Sequence, residues 1–119
     1  MKKSIVLTLC TLVCLTLAGC GKPSPTKVTQ TWFDALMAGD LNKANSLTVE
    51  QGQMLNAFMV EAVKKAKQDG EALPTVTIKR EEIDGDTAKV YFIDPDGKED
   101  SVTLEKVNGE WKVAPKKNK

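Results

Sequence analysis

The chain of 119 residues contains no histidine. That absence removes imidazole as a general base, excludes Ser-His-Asp and Cys-His catalytic pairs, and takes away the commonest transition-metal ligand. Neither sign of charge is in marked excess. Seventeen basic side chains stand against 16 acidic ones, a formal net charge of +1, so no global field draws in a polyanion and nucleic acid is not an expected partner. Aromatics are scarce: three Phe, two Trp and one Tyr. No apolar run reaches the roughly 20 residues of a membrane-spanning helix; the run over residues 5–17 has 13. The length allows one small domain and no second core.

What is present begins with that short run. Lys2 and Lys3 precede it and the small residues Ala18 and Gly19 follow, which is the three-part layout of a secretory signal. Leu17-Ala18-Gly19-Cys20 resembles a bacterial lipobox. The resemblance implies diacylglyceryl transfer to the Cys20 thiol, cleavage between Gly19 and Cys20, and acylation of the new amino group. Cysteine usage agrees. Cys10 and Cys14 lie inside the apolar run and leave with it, which rejects them as a metal pair. Cys20 is then alone and cannot form an intramolecular disulfide.

Two or more acyl chains give stable anchoring where one is marginal. Gly21 is not the aspartate that resemblance to enterobacterial lipoproteins links with inner-membrane retention. The expected location is therefore the periplasmic face of the outer membrane in a two-membrane host, and otherwise the outer face of the cytoplasmic membrane. Without residues 1–19 the chain keeps 15 basic and 16 acidic side chains, a net charge of −1. The expected organisation is a removed signal over 1–19, a lipidated cysteine and proline-stiffened tether over 20–26, a folded domain over 27–114, and a frayed basic tail over 115–119.

Three helices are predicted first. Ser24 or Thr26 can cap a helix ending at Met37, with Pro25 suited to the first turn. Val28, Trp32, Phe33, Leu36 and Met37 form one stripe, and Gly39 stops it. Asp40 can cap a short helix carrying Leu41, Ala44 and Leu47. Thr48 and Gln51 have capping-box spacing for a third helix. Its core-facing stripe is predicted as Met54, Leu55, Phe58, Met59, Ala62, Val63 and Ala66. Lys64, Lys65 and Lys67 suit its C-terminal dipole, Gly70 ends it and Pro74 bars continuation.

The period then changes from 3.6 to 2. Strands are predicted over 75–83 with Val76 and Ile78 alternating, over 87–93 with Ala88, Val90 and Phe92 on one face, and over 101–107 with Val102 and Leu104 inward. A last strand carries Trp111 and Val113. Asp84-Gly85, Asp94-Pro95-Asp96-Gly97 and Asn108-Gly109 are turn sequences, so the strands form a four-stranded antiparallel meander. N-terminal helices packed on that sheet make an α+β domain, with Trp32 and Trp111 expected at the helix–sheet contact.

Residues 28–44 (VTQTWFDALMAGDLNKA) resemble the first-helix signature of small bacterial lipoproteins carrying a DUF4878 domain, within the NTF2-like (cystatin-like) superfamily. Residues 106–113 (KVNGEWKV) resemble the last hairpin of that group. The resemblance implies a curled sheet wrapped on a helix around a cone-shaped hollow, and no particular activity. Some NTF2-like enzymes keep a carboxylate base and a tyrosine donor in the hollow, which singles out Asp34 and Tyr91. Asp34 falls off the apolar stripe, and Tyr91 alternates with inward residues, so both are expected at the surface and neither is assigned as a site.

The remaining constellations have plainer readings. Asp94, Asp96, Gly97 and Asp100 evoke a calcium loop, but glycine comes three residues after the first aspartate and the twelfth position, Glu105, falls on a strand. A type I turn is expected instead. Glu81, Glu82, Asp84 and Asp86 read as a solvated hairpin tip. Met37, Met54 and Met59 with Phe58 offer either an adaptable binding surface or core, and core is expected. Lys64, Lys65 and Lys67 with Lys116, Lys117 and Lys119 read as a solvated face able to touch anionic lipid or peptidoglycan.

The expected function is that of a lipid-anchored, non-catalytic envelope protein, without cofactor or metal, binding a small apolar ligand or a partner protein. The alternatives are an accessory subunit of an envelope complex, or a small NTF2-like enzyme with Asp34 in a closed pocket. Cys20 is the one residue assigned a chemical role. Replacing it, Cys20→Ser, is expected to leave an unprocessed, unlipidated chain; detergent-phase partitioning checks this, and normal partitioning of the mature variant would refute the assignment.

Overall fold

The computed structural model describes residues 22–115. The signal run, Cys20 and the lysines at 116, 117 and 119 lie outside the described residues. Helix α1 (Pro25–Ala38) starts where Ser24 accepts a hydrogen bond from the Lys27 N–H at 3.2 Å, and Pro25 takes the first position, where no N–H is needed. Pro25 and Thr26, assigned to the tether on sequence, thus open the helix. Gly39 ends it at φ 77°, a left-handed conformation that glycine adopts without a Cβ clash. Val28, Thr29, Trp32, Ala35 and Leu36 are buried, and Phe33 and Met37 pack half-buried beside them. Asp40 caps α2 (Leu41–Ser46) by accepting from the Lys43 N–H at 3.0 Å, and α2 buries Ala44.

Helix α3 (Gln53–Gln68) departs from the sequence expectation in its start and in its facing. No capping box forms; a 3₁₀ turn (Glu50–Gly52) leads in. The Thr48 hydroxyl donates instead to the Ala44 carbonyl at 2.8 Å and accepts from Asn56 Nδ2 at 3.0 Å. Asn56 is fully buried. Its Nδ2 also donates to Asn45 Oδ1 at 3.0 Å, and its Oδ1 accepts from the Trp32 indole N–H at 2.9 Å. The inward residues are therefore Asn56, Val60 and Val63, one helical face at i, i+4 and i+7.

Met54 and Phe58, predicted as core, are 73% and 70% exposed, and Leu55 is exposed beside them. The reason is geometric. Helix α3 packs on α1 and α2, not broadly on the sheet, so it has one narrow seam to fill. A buried indole N–H without a partner costs about 1–3 kcal/mol. One amide serves that indole, Asn45 and Thr48 together, which selects the Asn56 face over its more apolar neighbour.

The sheet runs β1 (Thr77–Asp84), β2 (Thr87–Ile93), β3 (Glu99–Val107) and β4 (Glu110–Val113) in order, all antiparallel. Strand β1 starts two residues later than predicted and β3 two earlier. Val90 faces Val102, Ala88 faces Leu104, and Leu104 faces Val113 across the inner surface. In β1 the register shifts between Ile78 and Arg80, so that Ile78 opposes Phe92 but Arg80 opposes Tyr91. The extra residue, Lys79, reverses the alternation. Beyond it Glu81 and Ile83 share the inner face with Val90 and Ala88, while Arg80 and Glu82 turn outward.

The turns are as expected. Asn108 and Gly109, at φ 53° and 83°, suit a two-residue primed hairpin. Asp94 Oδ1 accepts from the Asp96 and Lys98 N–H groups, both at 2.9 Å, and the Asp94 carbonyl accepts from Gly97 N–H at 2.9 Å. This carboxylate is thus engaged in holding its own turn.

The free edge of β4 is covered by the α2–α3 linker: Val49 N–H donates to the Val113 carbonyl at 2.9 Å and Val113 N–H to the Leu47 carbonyl at 2.7 Å. The ladder continues one step, with Ala114 N–H on the Thr103 carbonyl at 2.8 Å. Pro115 then packs against Gly52, where an added Cβ would come within 2.6 Å of the proline Cδ. So the first residue of the predicted frayed tail is packed. Trp32, Leu36, Val60, Val90, Leu104, Trp111 and Val113 join one core, and both tryptophans sit at the helix–sheet contact as expected. Among the described residues Thr29 Oγ1 is a buried side-chain oxygen without a hydrogen-bond partner.

Asn56→Ala should lower the free energy of unfolding by about 2–4 kcal/mol in urea titrations, because it orphans the Trp32 N–H and leaves a cavity. Phe58→Ala, on the exposed face, should change it by about 0.5 kcal/mol or less. The reverse ranking would restore the more apolar stripe as the buried one.

Candidate functional site

The helical layer covers the sheet unevenly. Near Phe92 it leaves open space, and the side chains there come from three elements. Phe33 lies one residue round from buried Trp32 on α1, Met59 comes from α3 and Phe92 from the inner face of β2. The Phe33 and Phe92 rings meet edge to face with centroids 5.3 Å apart, and Trp32 and Phe33 are 5.0 Å apart. Phe33, Met59 and Phe92 form a shared wall between two hollows. One, of about 450 Å³, is bounded by Trp32, Leu55, Val102, Asp100 and Pro115. The other, of about 460 Å³, is bounded by Met37, Val76, Pro74, Pro95, Gln30 and Asp34.

Several of these residues were legible in sequence. Phe33, Met37 and Phe92 belong to predicted inward stripes. Asp100 evokes a calcium ligand in the sequence, yet its parity with Val102 and Leu104 puts it on the inner face, opposite Phe92. Gln30, Pro74 and Pro95 carried no signal that would assign them to a hollow, since they reach it from a helix flank and two loops.

The structure does not bring Asp34 and Tyr91 together. Asp34 is exposed at the rim of the second hollow, and its Oδ1 accepts from Gln30 Nε2, one turn earlier, at 3.1 Å. Tyr91 is on the outer sheet face. Its hydroxyl donates to Glu82 Oε1 at 3.0 Å, and the Arg80 guanidinium stands 3.9 Å from its ring centroid. Arg80 also pairs with Glu99 at 2.9 Å. The hydrogen bond to Glu82 is the foremost cause holding the Tyr91 phenol pKa above its ordinary 10.0; desolvation and the Glu82 charge act in the same direction and Arg80 against them.

The acidic hairpin is not wholly a solvated tip. Because of the bulge, Glu81 faces inward, and its Oε1 accepts from both the N–H (2.9 Å) and the hydroxyl (2.6 Å) of Thr26. A strand carboxylate thus binds the N-terminal turn of α1, where orphan donors and the helix dipole favour negative charge. Asp84 and Asp86 remain exposed as expected. Of the methionines, Met37 and Met59 pack against the core while Met54 does not. Lys64 and Lys65 make exposed 3.9 Å pairs with Glu61 and Asp69, a kind of contact worth little. Among the described residues no three His, Cys, Asp or Glu side chains are grouped to hold a metal ion, and no helix is long and apolar enough to cross a membrane.

No family model matches the chain, and no curated protein matches it. Among solved structures it is similar to a protein of Campylobacter jejuni described as an NTF2-like transpeptidase, at a TM-score of 0.57 and 21% identity over 79% of this chain and 100% of that one. It is also similar to RPA3114, a SEC-C motif containing protein from Rhodopseudomonas palustris, at 0.54 and 17% identity over 76% of this chain and 75% of that one. At these identities the likeness concerns the fold, which is NTF2-like: over the described residues, three helices followed by a four-stranded antiparallel meander.

Tyr91 is the one tyrosine of the chain, so its ionisation can be read directly from phenolate absorbance. The midpoint should lie above 10.0, and Glu82→Gln should move it down towards that value. The raised folded-state pKa means that this contact's stabilisation is present below the unfolded value and lost as pH rises through the folded one. A midpoint unmoved by Glu82→Gln would show that the hydrogen bond is not its cause.

Proposed function

We propose that this chain is a lipid-anchored envelope lipoprotein of the DUF4878-like kind, whose domain works by binding rather than catalysis and takes a small apolar ligand in the hollow beside Phe92. The observation that carries the ligand reading is the wall of Phe33, Met59 and Phe92 facing open volumes of about 450 and 460 Å³. Small-molecule sites fall in the range of about 300–1,000 Å³, with mostly apolar walls and a few polar groups. The anchoring reading is supported by the charged-then-apolar run ending at Leu17-Ala18-Gly19-Cys20. The preference for binding over catalysis is supported by Asp34 standing exposed and Tyr91 standing on the opposite sheet face.

The two readings fit together in space. Lys22 lies beside Gly109, in the β3–β4 turn, and Glu81 near the β1–β2 turn holds Thr26. Acyl chains on Cys20, two residues before Lys22, would hold that end of the sheet at the bilayer. Pro95, in the β2–β3 turn, is at the opposite end, so the hollow beside it would lie at the end of the sheet away from the membrane. The host then decides between the periplasmic face of an outer membrane and the outer face of a cytoplasmic one.

A second reading, an accessory subunit docking on an envelope partner, is favoured by one observation: Met54 and Phe58 form an exposed apolar stripe on α3, with Leu55 beside it. Native mass spectrometry of the protein, gently extracted from its own membranes, separates the two. Mass beyond the acyl chains and corresponding to a small molecule is the expected result. A stoichiometric protein companion would transfer the function to the α3 stripe, and a bare lipidated chain would count against a stably held ligand.

A further inference from the structure

Resting on the ligand reading above and refining its ligand from apolar to amphipathic, we infer that the hollow bounded by Met37, Val76, Pro74 and Pro95 selects a small organic cation with an apolar body. The two hollows share a wall but differ in charge. The one beside Leu55 and Val102 is lined by both Lys89 and Asp100, a cation and an anion. In the other, Asp34 is the one charged side chain in the lining, with the Gln30 amide beside it. Gln30 Nε2 donates to Asp34 Oδ1 at 3.1 Å, which steadies the carboxylate on the rim and leaves its second oxygen without a hydrogen bond among the described residues.

The remaining lining suits the same class of molecule. Phe33 and Phe92 supply two aromatic rings, and aromatic rings attract ammonium groups, quaternary ones included. Met37 and Met59 supply unbranched, polarizable walls that adapt to ligand shape. Pro74 and Pro95 enter from two loops on the same side. An anion of equal size would meet the Asp34 charge with no cation of the lining to offset it. A neutral molecule would gain the apolar contacts alone.

The hollow lies at the end of the sheet away from Lys22, so a lipid-anchored molecule would present it to the aqueous side. A water-soluble amine or quaternary ammonium compound therefore fits better than a bilayer lipid.

The test uses the mature lipidated chain, kept in one neutral detergent, with phenylbutyltrimethylammonium, phenylbutanol and phenylbutyrate as probes. Methionine methyl NMR reports the location: Met37 and Met59 line the hollow, while Met54 is exposed on α3 and serves as the internal control. The expected result is that the cation shifts Met37 and Met59 but not Met54, and binds about 5–10-fold more tightly than the alcohol, with the carboxylate weakest. Asp34→Asn should remove most of the cation's advantage over the alcohol, leaving the part that the two rings supply. Equal binding of cation and alcohol, or a preference undiminished in Asp34→Asn, would overturn this inference alone. If none of the three probes moves Met37 or Met59, the ligand reading of the hollow fails as well.

Discussion

The hydrogen bond from the Trp32 indole to the buried Asn56 amide, 2.9 Å long, is the contact on which the arrangement of the helical layer depends. Trp32 is one of the two tryptophans at the helix–sheet contact, and burying it requires an acceptor for its N–H. Asn56 provides one and spends its own two donors on Asn45 and Thr48. Thr48 in turn stands where the linker pairs with Val113. A chain of contacts thus runs from α1 through α3 and α2 to the edge of the sheet, and each helix is oriented by it. Networks of this kind specify a single arrangement because a partly satisfied one is costly.

Two consequences reach the candidate site. With Asn56, Val60 and Val63 turned inward, Met59 is the α3 residue that lines both hollows together with Phe33 and Phe92, and these three side chains form the wall between them. The same rotation leaves Met54 and Phe58 outside. One structural decision therefore creates both candidate surfaces, the hollow and the exposed stripe. At the opposite end of the sheet the bulge at Lys79 works similarly: it turns Glu81 inward to bind the start of α1, closing the fold where the chain enters. The NTF2-like body is tied shut near Lys22 and open near Phe92.

What was legible in the sequence was local. The limits of α1 follow from Ser24, Pro25 and Gly39, residues whose capping and backbone preferences act within one turn. The hairpins follow from Asp-Gly, Asp-Pro-Asp-Gly and Asn-Gly turns. The inner faces of β2 and β3 follow from strict alternation, and with it the placement of Phe92 in the hollow and of Tyr91 on the far side.

The rest depends on partners far apart in the chain. The stripe of α3 counts as more apolar around Met54 and Phe58, yet the buried face is chosen by Asn56 through an indole 24 residues away. The phase of β1 beyond Lys79 has no counterpart in its own alternation, and Glu81 finds its role 55 residues distant, at Thr26. Periodicity, caps and turns are properties of neighbouring residues, so the elements, their order and most of their faces can be read from the chain alone. Which face of α3 is buried, and which carboxylate is structural, are settled only when separate elements must satisfy one another's buried polar groups, because that cost exists only in the packed chain.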